Sequence, residues 1–94
     1  MENAIYLSFG DEITRLAGYP YGKSVYQKQV EGNIKFDQKS CIVFPPQIVS
    51  VASSFVQGFF EEIVSEVGIL GVGDRVEVMT GSKDLTQSII DNLL

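Results

Sequence analysis

The sequence predicts an α/β fold: a mixed four-stranded sheet that opens with an N-terminal hairpin and packs against about three helices, in the order ββαβαβα. Three observations support this prediction. Short apolar runs typical of strands alternate with segments of helical apolar periodicity. Glycine and proline separate most of these segments. The 94 residues, 45% apolar and 20% charged, suffice for one core, so we expect a single domain over residues 1–94.

The first two strands are expected to form the hairpin. In residues 4–9 the apolar side chains at alternate positions fall on one side of a strand. Gly10-Asp11 follows as a two-residue turn of the kind that joins antiparallel strands. Residues 12–16 would then return beside the first strand.

Residues 17–24, AGYPYGKS, end with the Gly-Lys-Ser of a phosphate-binding P-loop. Ala17, however, stands where that motif needs its first glycine. Ser24 and Gln27 have the spacing of a capping box, which predicts a helix over residues 25–31. We therefore expect a turn and a helix cap here rather than a nucleotide site.

The middle of the chain is expected to form the centre of the fold. The continuous apolar run over residues 41–44 is typical of a strand buried on both faces, and Cys41 within it is expected to be buried. Pro45-Pro46 prevents the strand from continuing. From residue 54 to residue 67 seven apolar residues form one wide helical stripe, and Gly68 provides a stop signal. The seven are Phe55, Val56, Phe59, Phe60, Ile63, Val64 and Val67.

The last third of the chain predicts one strand and one helix. Residues 71–74 are expected to form a loop, and residues 75–79 alternate in the manner of a strand. Ser82 is placed to cap a terminal helix. The apolar face of that helix consists of Leu85, Ile89, Ile90, Leu93 and Leu94.

Two serines, Ser53 and Ser54, stand at the start of the long helix in the run Ala52-Ser53-Ser54-Phe55. Serine is a favoured N-cap, so either hydroxyl is expected to bind an amide of the first turn. Together with the preceding strand and loop, this segment resembles the STAS superfamily, named for sulfate transporters and anti-sigma factor antagonists. The nearest group is the bacterial and phage STAS-like group of unknown function, and the resemblance rests on residues 42–60 and more loosely on residues 21–30.

The resemblance implies a regulatory function. In anti-sigma factor antagonists an Asp-Ser-Ser/Thr-Gly motif begins the corresponding helix, and a partner kinase related to histidine-kinase ATPases phosphorylates one hydroxyl. Ser54 best matches the acceptor, and Ser53 precedes it, whereas Ala52 and Phe55 replace the Asp and the Gly. Gln57, on the exposed face of the helix, is the third candidate for partner binding. The resemblance therefore implies a non-enzymatic interaction module that serine phosphorylation would switch.

The composition of the chain argues against several other classes of function. The chain has no histidine for a catalytic triad or a metal site, and we expect no enzyme activity, cofactor or metal. The formal net charge of −5, from 12 acidic and 7 basic residues, argues against nucleic acid as a partner. The N-terminus shows no leader pattern and no segment is apolar enough to span a membrane, so we expect a cytoplasmic protein.

Two alternatives from other classes stay open. The aromatic Tyr19-Pro-Tyr21 loop allows a domain that binds a small molecule or nucleotide, since some STAS-related domains do so. The apolar residues near the C-terminus, from Ile89 to Leu94, allow a homo-oligomeric structural protein.

Overall fold

The computed structural model describes residues 3–35 and 37–93 of the chain. Its elements are β1 Asn3–Tyr6, β2 Arg15–Leu16, α1 Tyr19–Val25, a π-helical turn Tyr26–Val30, β3 Ser40–Val43, β4 Ser50–Val51, α2 Ser53–Val67, α3 Val72–Arg75, β5 Val76–Met79 and α4 Lys83–Leu93. The α/β class predicted from the sequence is confirmed.

The main sheet has three parallel strands in the order β1-β3-β5. Because parallel crossovers are right-handed and the strand order advances in one direction, the connecting helices lie on the same face of the sheet. There α2 packs against both α1 and α4. Ile5, Ile42 and Val78 are paired in register and belong to the core, whereas Tyr6 and Met79, which follow on the opposite side of their strands, are exposed.

The predicted N-terminal hairpin is wrong. A turn does form, since the Ile13 amide donates to the Gly10 carbonyl at 2.9 Å, but β1 and β2 do not pair. Instead β1 pairs with β3 and the short β2 pairs with β4, both in parallel. Beside the buried strand β3, the Ile5 side chain enters the core, which a two-stranded ribbon could not provide. The sheet is therefore three-stranded and parallel, with a separate two-stranded sheet, rather than mixed and four-stranded.

The first helix begins six residues earlier than its predicted start at residue 25, because proline and glycine favour its start at Tyr19. Gly18 has φ 100°, a conformation that glycine adopts readily, and Pro20 occupies the first turn. Ser24 lies inside α1, so the predicted capping box is wrong. The helix then continues into the π-helical turn, where the Glu31 amide donates to the Tyr26 carbonyl at 2.9 Å.

The predicted central strand and long helix are confirmed. Ser40, Cys41 and Ile42 of β3 are buried. The α2 face contributes three phenylalanines to the core, with Phe59 in ring contact with both Phe55 and Phe60. Gly68 ends α2 with φ 75°, as the stop signal predicted.

The C-terminal third agrees with the sequence except at one loop. Residues 72–75 form the short helix α3 instead of the expected loop, and β5 follows at once. The Ser82 hydroxyl accepts a hydrogen bond from the Leu85 amide at 3.1 Å, which confirms the predicted cap of α4. Leu85 and Ile89 are buried, whereas Leu94 lies outside the described residues.

In the described parts of the chain, no helix combines the length and the apolarity that crossing a bilayer requires.

Candidate functional site

The two serines lie in the first turn of α2, and neither caps it. The N-cap is Ala52, with an extended backbone at φ −72° and ψ 153°, and no side chain caps this end. The helix therefore starts one residue too early for the predicted serine cap, because the Val56 amide already donates to the Ala52 carbonyl. No acidic residue occupies the first turn either, so the partial positive charge at this end is not balanced locally.

The Ser54 hydroxyl connects α2 to α1. Its Oγ accepts a hydrogen bond from the backbone amide of Gly18 at 3.0 Å, and Gly18 is the N-cap of α1. Ser54 is exposed despite this bond. Ser53 is also exposed, and among the described residues its hydroxyl has no hydrogen-bond partner. The neighbouring hydroxyls thus differ: one connects two helices, and the other faces solvent.

Gln57 follows Ser53 by one helical turn and lines a groove of about 280 Å³. The groove lies between the start of α1, the exposed side of α2 and the end of α4, where Tyr19, Glu61 and Leu93 contribute to its walls. The structure therefore places all three predicted residues along the first two turns of α2. Gln57 lines the groove, and Ser54 contacts the start of α1.

A polar cluster that sequence reasoning missed borders this groove. The Lys23 Nζ lies 2.6 Å from Glu61 Oε2, and the Tyr19 hydroxyl donates to the other oxygen of the same carboxylate. The Lys23 Nζ also lies 5.9 Å from the centroid of the Tyr19 ring. No local sequence pattern links Lys23 to Glu61, because the two residues are 38 positions apart.

The cluster shifts the titration of its members. Hydrogen bonding from Lys23 and then from Tyr19 lowers the pKa of the Glu61 carboxyl. The hydrogen bond to Glu61 raises the pKa of both the Tyr19 phenol and the Lys23 ammonium. Glu61 is therefore charged and Lys23 protonated at neutral pH, so the border of the groove is an ion pair rather than a free charge.

Two glycines let α1 and α2 approach closely beside the site. A Cβ atom on Gly22 would clash with the Phe55 carbonyl and lie 2.9 Å from the Phe59 amide nitrogen. A Cβ atom on Gly58 would clash with the Tyr19 carbonyl and lie 3.1 Å from the Lys23 amide nitrogen. Gly22, the glycine of the apparent P-loop ending, is thus a helix-packing residue.

No family model, curated protein or solved structure matches the chain. Within residues 3–35 and 37–93, no group of three or more His, Cys, Asp or Glu side chains is arranged to hold a metal ion. The chemistry available at the start of α2 is therefore that of two exposed hydroxyls, an amide and an uncapped helix end. Such an end favours an attached or approaching anion.

Proposed function

We propose that this chain is a protein-interaction and regulatory module of the STAS type, without enzyme activity of its own. A regulatory protein partner binds at the start of α2, around Ser53, Ser54 and Gln57. One observation carries the proposal: an exposed hydroxyl, Ser54 Oγ, accepts the Gly18 amide at the place where α1 and α2 both begin. A change at this single atom alters a surface formed by two helices.

Phosphorylation of Ser54 is the proposed switch. A partner kinase of the histidine-kinase-like ATPase class transfers the γ-phosphate of ATP to Oγ, ADP leaves, and the hydroxyl proton passes to a base of the kinase. The product carries a charge of about −1.5 to −2 at neutral pH. The N-terminal end of α2 stabilises that charge, because its first turn has neither an acidic residue nor a side-chain cap. The domain stays folded while its contact surface changes.

The environment of the two hydroxyls supports Ser54 as the acceptor. A phosphate on Ser54 replaces or rearranges the hydrogen bond from the Gly18 amide and so affects the start of α1. A phosphate on Ser53 has no such bond to change within the described residues. Modification of Ser54 therefore has a structural consequence that modification of Ser53 lacks.

The groove beside Gln57 supports a protein partner better than a small-molecule ligand. Its volume of about 280 Å³ lies below the roughly 300–1,000 Å³ that is typical of ligand pockets. Tyr19 is one of the tyrosines that suggested a ligand, and its hydroxyl donates a hydrogen bond to the Glu61 carboxylate. The Tyr21 ring packs edge-on against the Phe55 ring at a centroid distance of 5.6 Å. Both tyrosines thus have structural contacts.

The experiment is intact-mass measurement of the purified chain after incubation with magnesium-ATP and lysate of its native cells. We expect the wild type and Ser53→Ala to gain one phosphate and Ser54→Ala to gain none. Ser53→Ala is the matched control, because it removes the neighbouring hydroxyl from the same helical turn. The absence of phosphate on the wild type, or its retention in Ser54→Ala, contradicts Ser54 as the switch.

A further inference from the structure

The start of α1 contacts α2 at three positions along one face of α2. Ser54, Gly58 and Glu61 are spaced i, i+4 and i+7, a spacing that places them on the same side of a helix. The Ser54 Oγ accepts a hydrogen bond from the Gly18 amide at 3.0 Å. A Cβ atom on Gly58 would clash with the Tyr19 carbonyl, and the Tyr19 hydroxyl donates to the Glu61 carboxylate. Two consecutive residues at the start of α1 are therefore held by one face of α2.

Gly18 and Tyr19 are expected to move together, because they form the N-terminal end of α1. Gly18 is the N-cap with φ 100°, and its carbonyl accepts the hydrogen bond of the first helical turn from the Gly22 amide at 3.0 Å. The backbones of α1 and α2 are already in contact at Gly22 and at Gly58, where not even a Cβ atom fits between the helices. The first turn of α1 can therefore be displaced only away from α2.

The Tyr19 side chain connects this turn to the groove of about 280 Å³ that Gln57 lines. Tyr19 and Glu61 both line the groove, so its shape depends on whether their side chains stay in contact. The Lys23–Glu61 ion pair beside them has side-chain exposures of 40% and 43%, and exposed ion pairs contribute little to stability. A surface contact of this kind can open when the turn that carries Tyr19 moves.

We infer that the first turn of α1 couples Ser54 to the groove: loss of the Ser54–Gly18 hydrogen bond displaces this turn and separates the Tyr19 hydroxyl from Glu61. The inference rests on the proposed function only in that a phosphate on Ser54 is the natural cause of the loss. A phosphate adds phosphorus and three oxygens to Oγ, and the 3.0 Å contact leaves no room for another atom before the Gly18 nitrogen. The partner surface then changes at Glu61, about two helical turns or roughly 10 Å along α2 from the modified oxygen.

The electrostatic effect of the phosphate alone is a different explanation, and Ser53 separates it from the coupling. A charge on Ser53 lies at the same end of α2, yet the bond from the Gly18 amide goes to Ser54. An electrostatic effect would therefore arise from either serine, whereas displacement of α1 follows from Ser54 alone.

The test is the pKa of the Glu61 carboxyl, measured by carbon NMR on the isotopically labelled full chain. Hydrogen bonds from Lys23 and then from Tyr19 lower this pKa in the wild type. Ser54→Val removes the acceptor of the Gly18 amide, and Ser54→Thr is the matched control, because it is equally β-branched and keeps the hydroxyl. We expect Ser54→Val to raise the Glu61 pKa toward its ordinary value and Ser54→Thr to leave it unchanged. Equal Glu61 pKa values in the two variants would overturn the inference.

Two charged variants separate displacement from charge. Ser54→Glu and Ser53→Glu place the same charge in the same helical turn of α2. We expect Ser54→Glu to raise the Glu61 pKa more than Ser53→Glu does. Equal rises would assign the effect to charge and contradict the coupling.

The coupling must also act in the opposite direction, from Tyr19 to the Ser54 end. Tyr19→Phe removes only the hydroxyl, and hydrogen exchange of the Gly18 amide should become at least about fivefold faster, the lower end of typical couplings between sites. Exchange of the Ile42 amide in β3 should not change, which shows that the fold is intact. Unchanged exchange at Gly18 overturns the inference even where Ser54→Val fails to fold. These measurements need no kinase, so their failure is distinct from a failure of Ser54 to gain phosphate.

Discussion

At the scale of single residues, the two serines at the start of α2 have different structural roles although they are neighbours. Ser54 accepts the Gly18 amide, whereas Ser53 faces solvent. Sequence alone places both hydroxyls correctly at a helix start but predicts capping, which is the commonest use of serine there. Assigning the actual partner requires the packing of α1 on α2, and no local pattern contains that information.

Removal of the Ser54 hydroxyl should destabilise the fold, because it leaves the Gly18 amide without its acceptor. We expect Ser54→Ala to lower the free energy of unfolding by about 1 kcal/mol. Urea denaturation measures the change, and hydrogen exchange of the Gly18 amide should accelerate in the same variant. Ser53→Ala is the matched control and should stay within about 0.5 kcal/mol of the wild type. Equal losses of unfolding free energy in Ser54→Ala and Ser53→Ala would contradict the role given to Ser54.

Tyr26 should make the fold sensitive to alkali. Its side chain is almost fully buried, and this burial raises the pKa of the phenol to about 12. A tyrosine in the unfolded chain titrates near about 10. The raised pKa therefore contributes stability that is fully present below about pH 10 and is lost as the pH rises toward the folded value. The urea concentration at the midpoint of unfolding should therefore fall steeply for the wild type as the pH rises from about 10 to about 12.

The Tyr26→Phe variant tests that assignment, because it keeps the ring and removes the ionisable group. Its urea midpoint should fall less steeply over the same pH interval than that of the wild type. An identical slope in both proteins would assign the alkaline sensitivity to other groups, such as Lys23, whose pKa the Glu61 hydrogen bond also raises.

At the scale of elements, the crossing of α1 and α2 holds the site together. Gly22 and Gly58 allow the two backbones to approach, and this approach places Gly18 beside Ser54 and Tyr19 beside Glu61. The sequence marks Gly58 only as a glycine within a helical stripe. Its packing role follows from the contact with a helix whose start the sequence misplaces.

A methyl group at the crossing should separate the helices. We expect Gly58→Ala to destabilise the fold by roughly 1–3 kcal/mol, because its Cβ would meet the Tyr19 backbone. Gly73→Ala is the matched control: it lies in α3, and no atom of its surroundings lies within 4 Å of an added Cβ. That change should stabilise the protein by roughly 0.5–1 kcal/mol. Thermal unfolding of both variants measures the contrast, which a loss of stability in Gly73→Ala would contradict.

Elements with strong periodicity could be predicted from the sequence, and pairings over long distances could not. The β3 run, the α2 stripe and the Ser82 cap each depend on neighbours within a few residues, and the structure confirms all three. The predicted hairpin is wrong because the turn at Gly10-Asp11 is not followed by a strand that pairs with β1. The true partner of β1 lies more than thirty residues away, and parallel pairing leaves no local signal of its register.

At the scale of the whole molecule, the three-stranded parallel sheet carries its connecting helices on one face. The proposed switch lies on that helical layer, where α1 and α2 both begin, rather than on the strands. The net charge of −5 does not point to this surface, because it is a property of the entire protein. The proposal depends instead on the local features of the surface, which are the uncapped N-terminal end of α2 and the Ser54 hydrogen bond.

The central claim, that Ser54 controls partner binding, is tested most directly by affinity measurement with two phosphate mimics. A partner is captured from native lysate on the immobilised wild type and purified, and its dissociation constant is measured by calorimetry. We predict that Ser54→Glu changes the dissociation constant at least about tenfold, the equivalent of 1.4 kcal/mol, while Ser53→Glu changes it less than about threefold. Equal affinities for the wild type and Ser54→Glu, or equal effects of the two mimics, would contradict the account.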